Sequence, residues 1–359
     1  MRRVVAFLLC STVLAAGCAA TDDASSAPTT APHSSTSSTI APSTTTGDGA
    51  PSTTGADAAA SGCPDGGARP IGTFGVGRSE RTAVDPSRPT TPRPEWAERA
   101  ATDRTLPYVV LYPAEVAPLD GGAGTSDAAP SGDGPFPVVM WSHGMGSAGT
   151  ERNDTLARWA SAGYVVVAPT FPLSSRAPDA SDLLNQPGDV AFVLDQVRAA
   201  TAAGGDPLHG LVRPDCVAVA GHSMGGGTTL AAAYDPRTAS IAPRAIVDIA
   251  GLLPTEAGGR AIADMAPLPA LVVHGTADRT VPYRVAEAAV AALHGPTWFL
   301  SFPDGGHSDL FAPPRGDVLD RAVTAFLDAE LKGAPAALDE LPAAVASSGV
   351  ATLQVLPAR

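Results

Sequence analysis

The run from Cys216 to Gly227, Cys-Val-Ala-Val-Ala-Gly-His-Ser-Met-Gly-Gly-Gly, constrains the fold of this 359-residue chain more than any other stretch. Its first five residues, apolar and rich in valine, read as a buried strand. The strand ends abruptly in Gly221-His222-Ser223-Met224-Gly225, and Thr228 to Tyr234 reads as the start of a helix. Strand, Gly-x-Ser-x-Gly turn and helix in that order make a sharp elbow that lifts a serine hydroxyl above the edge of a sheet. Residues packed against so tight a turn must be small, as Gly221 and Gly225 are. The helix N-terminus behind the serine favours negative charge developing beside it. With 37 glycines in the chain, the five-residue pattern alone is weak evidence. The flanking strand and helix sharpen it, and the rest of the chain must then supply a base, an acid and oxyanion donors in a compatible order.

Strand-like and helix-like runs alternate around this elbow. Strands are expected over 71–76, 106–112, 137–142, 164–168, 216–220, 244–250, 270–274 and 297–302, and helices over 151–161, 190–201, 224–234, 282–293 and 317–331. Such alternation predicts an α/β fold, a mostly parallel sheet of about eight strands with helices on both faces. Functional residues in sheets of this kind gather beyond the carboxyl ends of the strands.

The strand ends carry the chemistry. His143-Gly144-Met145-Gly146 closes the third strand and is placed to offer the Met145 N–H as one oxyanion donor; the Met224 N–H is the expected other. Asp278 follows the strand Leu271-Val272-Val273-His274, where a carboxylate can hold an imidazole in one tautomer. Asp248, at the end of an earlier strand, is the rival acid. His307 follows the final strand on the Gly-flanked loop Asp304-Gly305-Gly306-His307, free to turn back over Ser223, and is the expected base. His143, His222 and His274 sit inside the strand-end motifs and are expected to shape loops.

The order Ser223, Asp278, His307 resembles that of the α/β-hydrolase superfamily, and the resemblance covers residues 68–331. The chain is similar to the branch holding platelet-activating-factor-acetylhydrolase-like, dienelactone-hydrolase-like and cutinase-like serine esterases. The stretches that carry this are Asp103-Arg104-Thr105-Leu106-Pro107 leading to Tyr112-Pro113-Ala114, Pro135-Phe136-Pro137-Val138-Val139 with Ser142-His143-Gly144, and Gly221 to Gly227. Polyester hydrolases usually carry an aromatic after the His-Gly pair and a tryptophan after the sixth strand; here Met145 and the Gly251-Leu252 stretch stand there. The resemblance implies a serine hydrolase that cleaves carboxylic esters through an acyl-enzyme. Neither the short Gly- and Ala-rich stretch between Ala250 and Ala270 nor the Pro-, Ser- and Asp-rich stretch from Thr170 to Gly188 reads as an apolar lid, so soluble short-chain esters are the expected substrates. It implies no cofactor and no metal. Polyester or lipase activity, and a catalytically idle surface protein that binds a ligand, are the alternatives.

The flanks read differently. Arg2 and Arg3 precede an apolar run over 4–14, and Ala15, Ala16 and Gly17 lead into Cys18. This resembles a lipoprotein signal over 1–18, with Cys18 as the lipidated residue and the mature protein exported and facing outward at the membrane; the alternative is an ordinary secretory signal with an incidental cysteine and a secreted protein. Residues 19–67, rich in Ser, Thr, Pro and Ala and without apolar periodicity, read as a disordered tether. The folded domain is expected over 68–332, and the order of the 333–359 tail is left open. A net charge of −13 speaks against nucleic-acid binding. A small ester is the expected partner, with membrane contact only through the lipid anchor. Once Cys10 leaves with the signal and Cys18 is acylated, Cys63 and Cys216 remain. They either pair in an oxidising compartment or stay separate, one a tether thiol and the other a small buried hydrophobe.

Overall fold

The computed structural model describes residue 63 and residues 66–359, except 119–121, 176–177, 255, 258–259 and 262–265. The signal over 1–18 with Cys18, and all of the tether before Cys63, lie outside the described residues.

The first half of the chain forms β1 (Gly75–Asp85), β2 (Arg104–Ala114), β3 (Thr125–Ser126), β4 (Phe136–Ser142), α1 (Asn153–Ser161), β5 (Val165–Pro169) and α2 (Gln186–Ala202). Then come β6 (Val212–His222), α3 (Met224–Tyr234), β7 (Ala245–Ile249), a small hairpin of β8 (Glu256–Ala257) and β9 (Arg260–Ala261), and β10 (Ala270–Gly275). The chain ends with α4 (Arg284–Ala292), β11 (Thr297–Phe302), α5 (Arg315–Lys332), α6 (Ala336–Asp339), α7 (Leu341–Ser348) and β12 (Thr352–Leu356). One ten-stranded sheet runs β12-β11-β10-β7-β6-β4-β5-β2-β1-β3. From β11 to β5 every pair is parallel. Antiparallel β2 and β1 extend one side of this centre and antiparallel β12 closes the other.

Alternation along the central strands divides the core into two layers. Val138 and Met140 of β4, with Val217 and Val219 of β6, face one layer with Leu230 of α3 and Val193 of α2. Val139, Trp141, Ala218 and Ala220 face the other, with Trp159 of α1 and Phe326 of α5. The two-residue period of a strand produces this directly. A sheet buried on both faces explains why these strands read as unbroken apolar runs.

The sheet has ten strands rather than about eight, and β1 lies later than the expected 71–76. β1 carries Arg78, Glu80 and Arg81, so no apolar run marks it. It is held as a strand by its long ladder with β2, and Arg81 reaches both carboxylate oxygens of Asp206 at 2.9 and 2.8 Å. The 333–359 stretch is folded onto the domain: Leu341 and Val345 of α7 join the second core layer and β12 pairs with β11. The globular region therefore continues past Lys332.

Cys63 and Cys216 are bridged, with Cα atoms 5.7 Å apart across 153 residues of sequence. A bridge over so long a loop contributes about 2–4 kcal/mol. It ties Cys63 to the middle of β6, about 20 Å along the strand from Ser223. The N–H of Gly66, donating to the Lys332 carbonyl at 3.0 Å, fixes the chain near Cys63 a second time.

Candidate active site

β6 ends at His222 and α3 begins at Met224, so Ser223 alone makes the turn between them. It does so at φ 60° and ψ −122°, a conformation in which an L-residue is strained. Its N–H donates to Ile249 O at 3.0 Å, and its carbonyl accepts from Gly226 N–H at 3.0 Å. These bonds fix the serine from both sides. The glycines of the turn are required sterically. A Cβ on Gly221 would lie 2.2 Å from the Gly225 carbonyl oxygen, and one on Gly225 would lie 2.0 Å from that of Ser142.

The loop after β11 brings His307 back toward the serine. His307 Nδ1–H donates to Asp278 Oδ2 at 2.7 Å. That leaves Nε2 as the free acceptor of the ring. The other oxygen of Asp278 accepts from the N–H groups of Thr280 at 2.8 Å and Val281 at 2.9 Å. Burial works to raise the proton affinity of Asp278. Hydrogen bonds from His274, His307 and Val281 outweigh it and hold the carboxyl well below the usual range. Close approach of the two loops explains Gly275, whose Cβ would lie 2.2 Å from the Gly305 carbonyl oxygen.

Ser223, His222 and His307 line one cleft of about 580 Å³ together with Gly144, Met145 and Thr170. Asp278 stands behind His307, buried. Met145 is 53% exposed at the mouth, and Met224 is buried at the first turn of α3. Neither N–H meets a protein acceptor among the described residues. The Gly146 N–H beside Met145 donates to Ser174 O at 2.7 Å, which holds this loop in place.

Two further histidines pin the loops. His143 Nε2 accepts from Phe171 N–H at 3.0 Å and its Nδ1–H donates to Gly144 O at 2.7 Å. Burial lowers its proton affinity to about 4, so the ring stays neutral. His222 Nε2–H donates to the His307 carbonyl at 3.0 Å. Burial, then the nearby His307, lowers it to about 3. Asp248 lies in β7 against Gly226 and Gly251, and among the described residues its Oδ1 has no hydrogen-bond partner. The acid that reaches His307 is Asp278. No group of three or more His, Cys, Asp or Glu that could hold a metal ion occurs among the described residues.

Sequence reasoning missed a network under the Gly146 loop. Asp182 Oδ2 accepts from Leu173 N–H at 3.1 Å and from the Ser174 hydroxyl at 3.2 Å. Gln186 joins Ser174 to Thr228 of α3. Arg104 holds Asp182 and Asp189 from below, all three fully buried. Arg104 lies in the Asp103–Pro107 stretch that carries the resemblance, but nothing in the sequence ties it to Asp182, Gln186 or Asp189, which lie in a polar, Pro-containing stretch that reads as loop.

The chlorophyllase family model matches residues 127–265. Chlorophyllase-1 of Citrus unshiu is 27% identical over 162 residues, 45% of this chain and 40% of that protein. An Escherichia coli (strain K12) protein, "Uncharacterized protein YfhR", is 33% identical over 70 residues, 20% of this chain and 25% of that protein. The chain thus spans a quarter to two fifths of the length of these curated relatives. A ferulic acid esterase from Streptomyces cinnamoneus shares the fold, with TM-score 0.57 and 21% identity over 74% of this chain and 92% of that one.

Proposed function

We propose that this chain, which belongs to the α/β-hydrolase superfamily, is a serine carboxylic-ester hydrolase. The observation that carries the reading is the 2.7 Å bond from His307 to Asp278 beside a cleft that also holds Ser223 on a strained turn. Its match to the chlorophyllase family model, an α/β-hydrolase esterase family, and its fold likeness to a protein named a ferulic acid esterase support the same class.

The mechanism follows from the roles of the groups. His307 Nε2 takes the proton of the Ser223 hydroxyl as Oγ attacks the ester carbonyl. The N–H groups of Met145 and Met224 receive the oxyanion. Asp278 keeps His307 in the tautomer that accepts at Nε2 and stabilises the imidazolium that forms. His307 then gives its proton to the leaving alcohol. Water, activated by the same imidazole, attacks the acyl-enzyme, and the carboxylic acid departs.

The cleft also bears on the acyl chain. Its lining is mostly Gly, Ala, Ser and Thr, and Met145 is its large apolar side chain. Each methylene buried against apolar surface gains about 0.8 kcal/mol, and this lining offers little such surface. Short-chain, water-soluble esters are the substrates this favours. The test is one acyl series from acetyl to dodecanoyl, with methyl ferulate added, measured below and above each ester's solubility limit. Rates should fall with chain length and should not jump at that limit. A jump, or a preference for long chains, would sink the short-chain reading.

The same reading includes export and acylation at Cys18, since the Cys63–Cys216 bridge needs an oxidising compartment. Labelled palmitate fed to cells making the full chain should enter the wild type and not Cys18→Ser. Equal labelling of the two would reject Cys18 as the anchor.

A further inference from the structure

The carboxylate that orients His307 has a second histidine on it. His274 Nε2 stands 3.3 Å from Asp278 Oδ2, the same oxygen that accepts from His307. His274 is buried near the end of β10. Its Nε2–H also donates to Val281 O at 2.8 Å, and Val281 N–H in turn donates to Asp278 Oδ1. The Nε2–H thus bonds to the carbonyl of the turn while the same nitrogen stands at ion-pair distance from the carboxylate that the turn presents. In the pairing of β7 with β10, Asp248 stands opposite Val272. Asp248 and His274 thus share a face of the sheet, one pleat apart. A row of titratable groups runs beneath the cleft: Asp248, His274, Asp278 and His307.

We propose that His274 is a positioning residue of the triad, holding Asp278 Oδ2 from the buried side and drawing on the negative charge that would otherwise act on His307 alone. The proposal rests on the reading of Ser223, His307 and Asp278 as a catalytic triad. The charged and polar groups facing His274 come from each neighbouring element. They are Asp248 on β7, Asp278 and the Val281 carbonyl in the turn after β10, and Tyr283 before α4, with ring centroids 6.0 Å apart. From β11, Ser301 lies opposite His274 in register, its hydroxyl 2.6 Å from that of Tyr283. Burial alone would lower the proton affinity of His274. The bond to Asp278, the Val281 carbonyl and the charge of Asp248 outweigh it and raise that affinity. Burial pushes Asp248 up to about 7, opposed by the positive charge on His274. A carboxylate engaged by two imidazoles is held in one rotamer, and its charge is divided between them.

The experiment uses the full chain with His274→Leu and His274→Gln, each confirmed folded by its thermal transition. In His274→Leu, kcat should fall several-fold with KM within about twofold, and the acidic limb of kcat/KM should move up by about half a pH unit or more. In His274→Gln, whose amide restores an N–H donor without the charge, kcat should recover while the limb stays displaced. A residue with only a packing role would lower kcat without moving the limb. The low-field proton resonance of His307 Nδ1–H supplies a readout that needs no turnover, and it should move further downfield in both variants. A folded His274→Gln with the wild-type limb and resonance overturns the proposal. If the wild type cleaves no ester, the triad reading fails instead, and the resonance still reports whether His274 acts on the Asp278–His307 bond.

Discussion

Ser223→Ala is expected to lower kcat by at least several thousand-fold while leaving the thermal transition within a few degrees of the wild type. The side chain sits alone on a strained turn whose backbone is fixed by Ile249 O and Gly226 N–H, and neither bond uses the hydroxyl. Removing Oγ therefore removes the attacking atom and little else. A triad acts as a unit, so losing one member forfeits most of what the three do together, roughly 10⁴-fold or more. Asp278→Ala should cost about a thousand-fold or more, because His307 Nδ1–H would lose its acceptor. Asp248→Ala should be mild by comparison, since that carboxylate reaches no group in the cleft. The measurement is kcat on one soluble ester, with labelling of the serine by a phosphonate probe as the check on active sites. Retained turnover in Ser223→Ala would place the nucleophile elsewhere. Heavy loss in Asp248→Ala with mild loss in Asp278→Ala would exchange the two acids.

The elbow and the strand ends were legible because their causes are local. Gly221 is small because the Gly225 carbonyl oxygen, four residues on, lies 2.2 Å from where its Cβ would go, a contact set within the turn itself; the oxygen that excludes a Cβ at Gly225 belongs to distant Ser142, but the Gly-x-Ser-x-Gly pattern already carries that glycine. His307 and Asp278 could be found because each follows an apolar strand, and strand order places them. β1 was misplaced because a strand with one wet face and four charged side chains, Arg78, Glu80, Arg81 and Asp85, has no apolar run to show. The tail was unreadable for a related reason: Leu341 and Val345 are its buried anchors, and alanine around them blurs the helical period. Residue 274 was visible only as a strand-end histidine; the turn that carries Asp278 back onto its ring is a three-dimensional fact. The pairing of Cys63 with Cys216 likewise depended on where two distant segments meet. Arg104 lies 78 and 85 residues from its two acidic partners, and no pattern in the chain links them.

That buried arginine carries the second large expected effect. Arg104→Met should destabilise the protein by about 3–5 kcal/mol at neutral pH, because it leaves Asp182 and Asp189 buried without their main cation. Arg104 Nε donates to Asp189 at 2.7 Å and Nη2 to Asp182 at 2.9 Å, with all three side chains sealed from solvent. Arg88, 2.8 Å from Asp189, is partly exposed and compensates only in part. Burial already raises the proton affinity of Asp189, against the pull of Arg104. Without that pull it rises further. A carboxyl whose folded-state affinity exceeds its unfolded one adds stability at low pH and loses it as pH rises through the folded value. The destabilisation should therefore be larger at pH 8 than at pH 5. Turnover should suffer as well, because Asp182 fixes Ser174 and the Ser174 carbonyl fixes Gly146 beside the Met145 N–H. The expected signature is a lower kcat with nearly unchanged KM, since the loop receives charge that develops only in the transition state. Urea unfolding of Arg104→Met at the two pH values gives the first reading. Adding Asp182→Asn and Asp189→Asn should return most of the stability and abolish its extra pH dependence. A loss below about 1 kcal/mol, equal at both pH values, would mean that the buried carboxyls are neutral in the folded protein and that Arg104 only fills space.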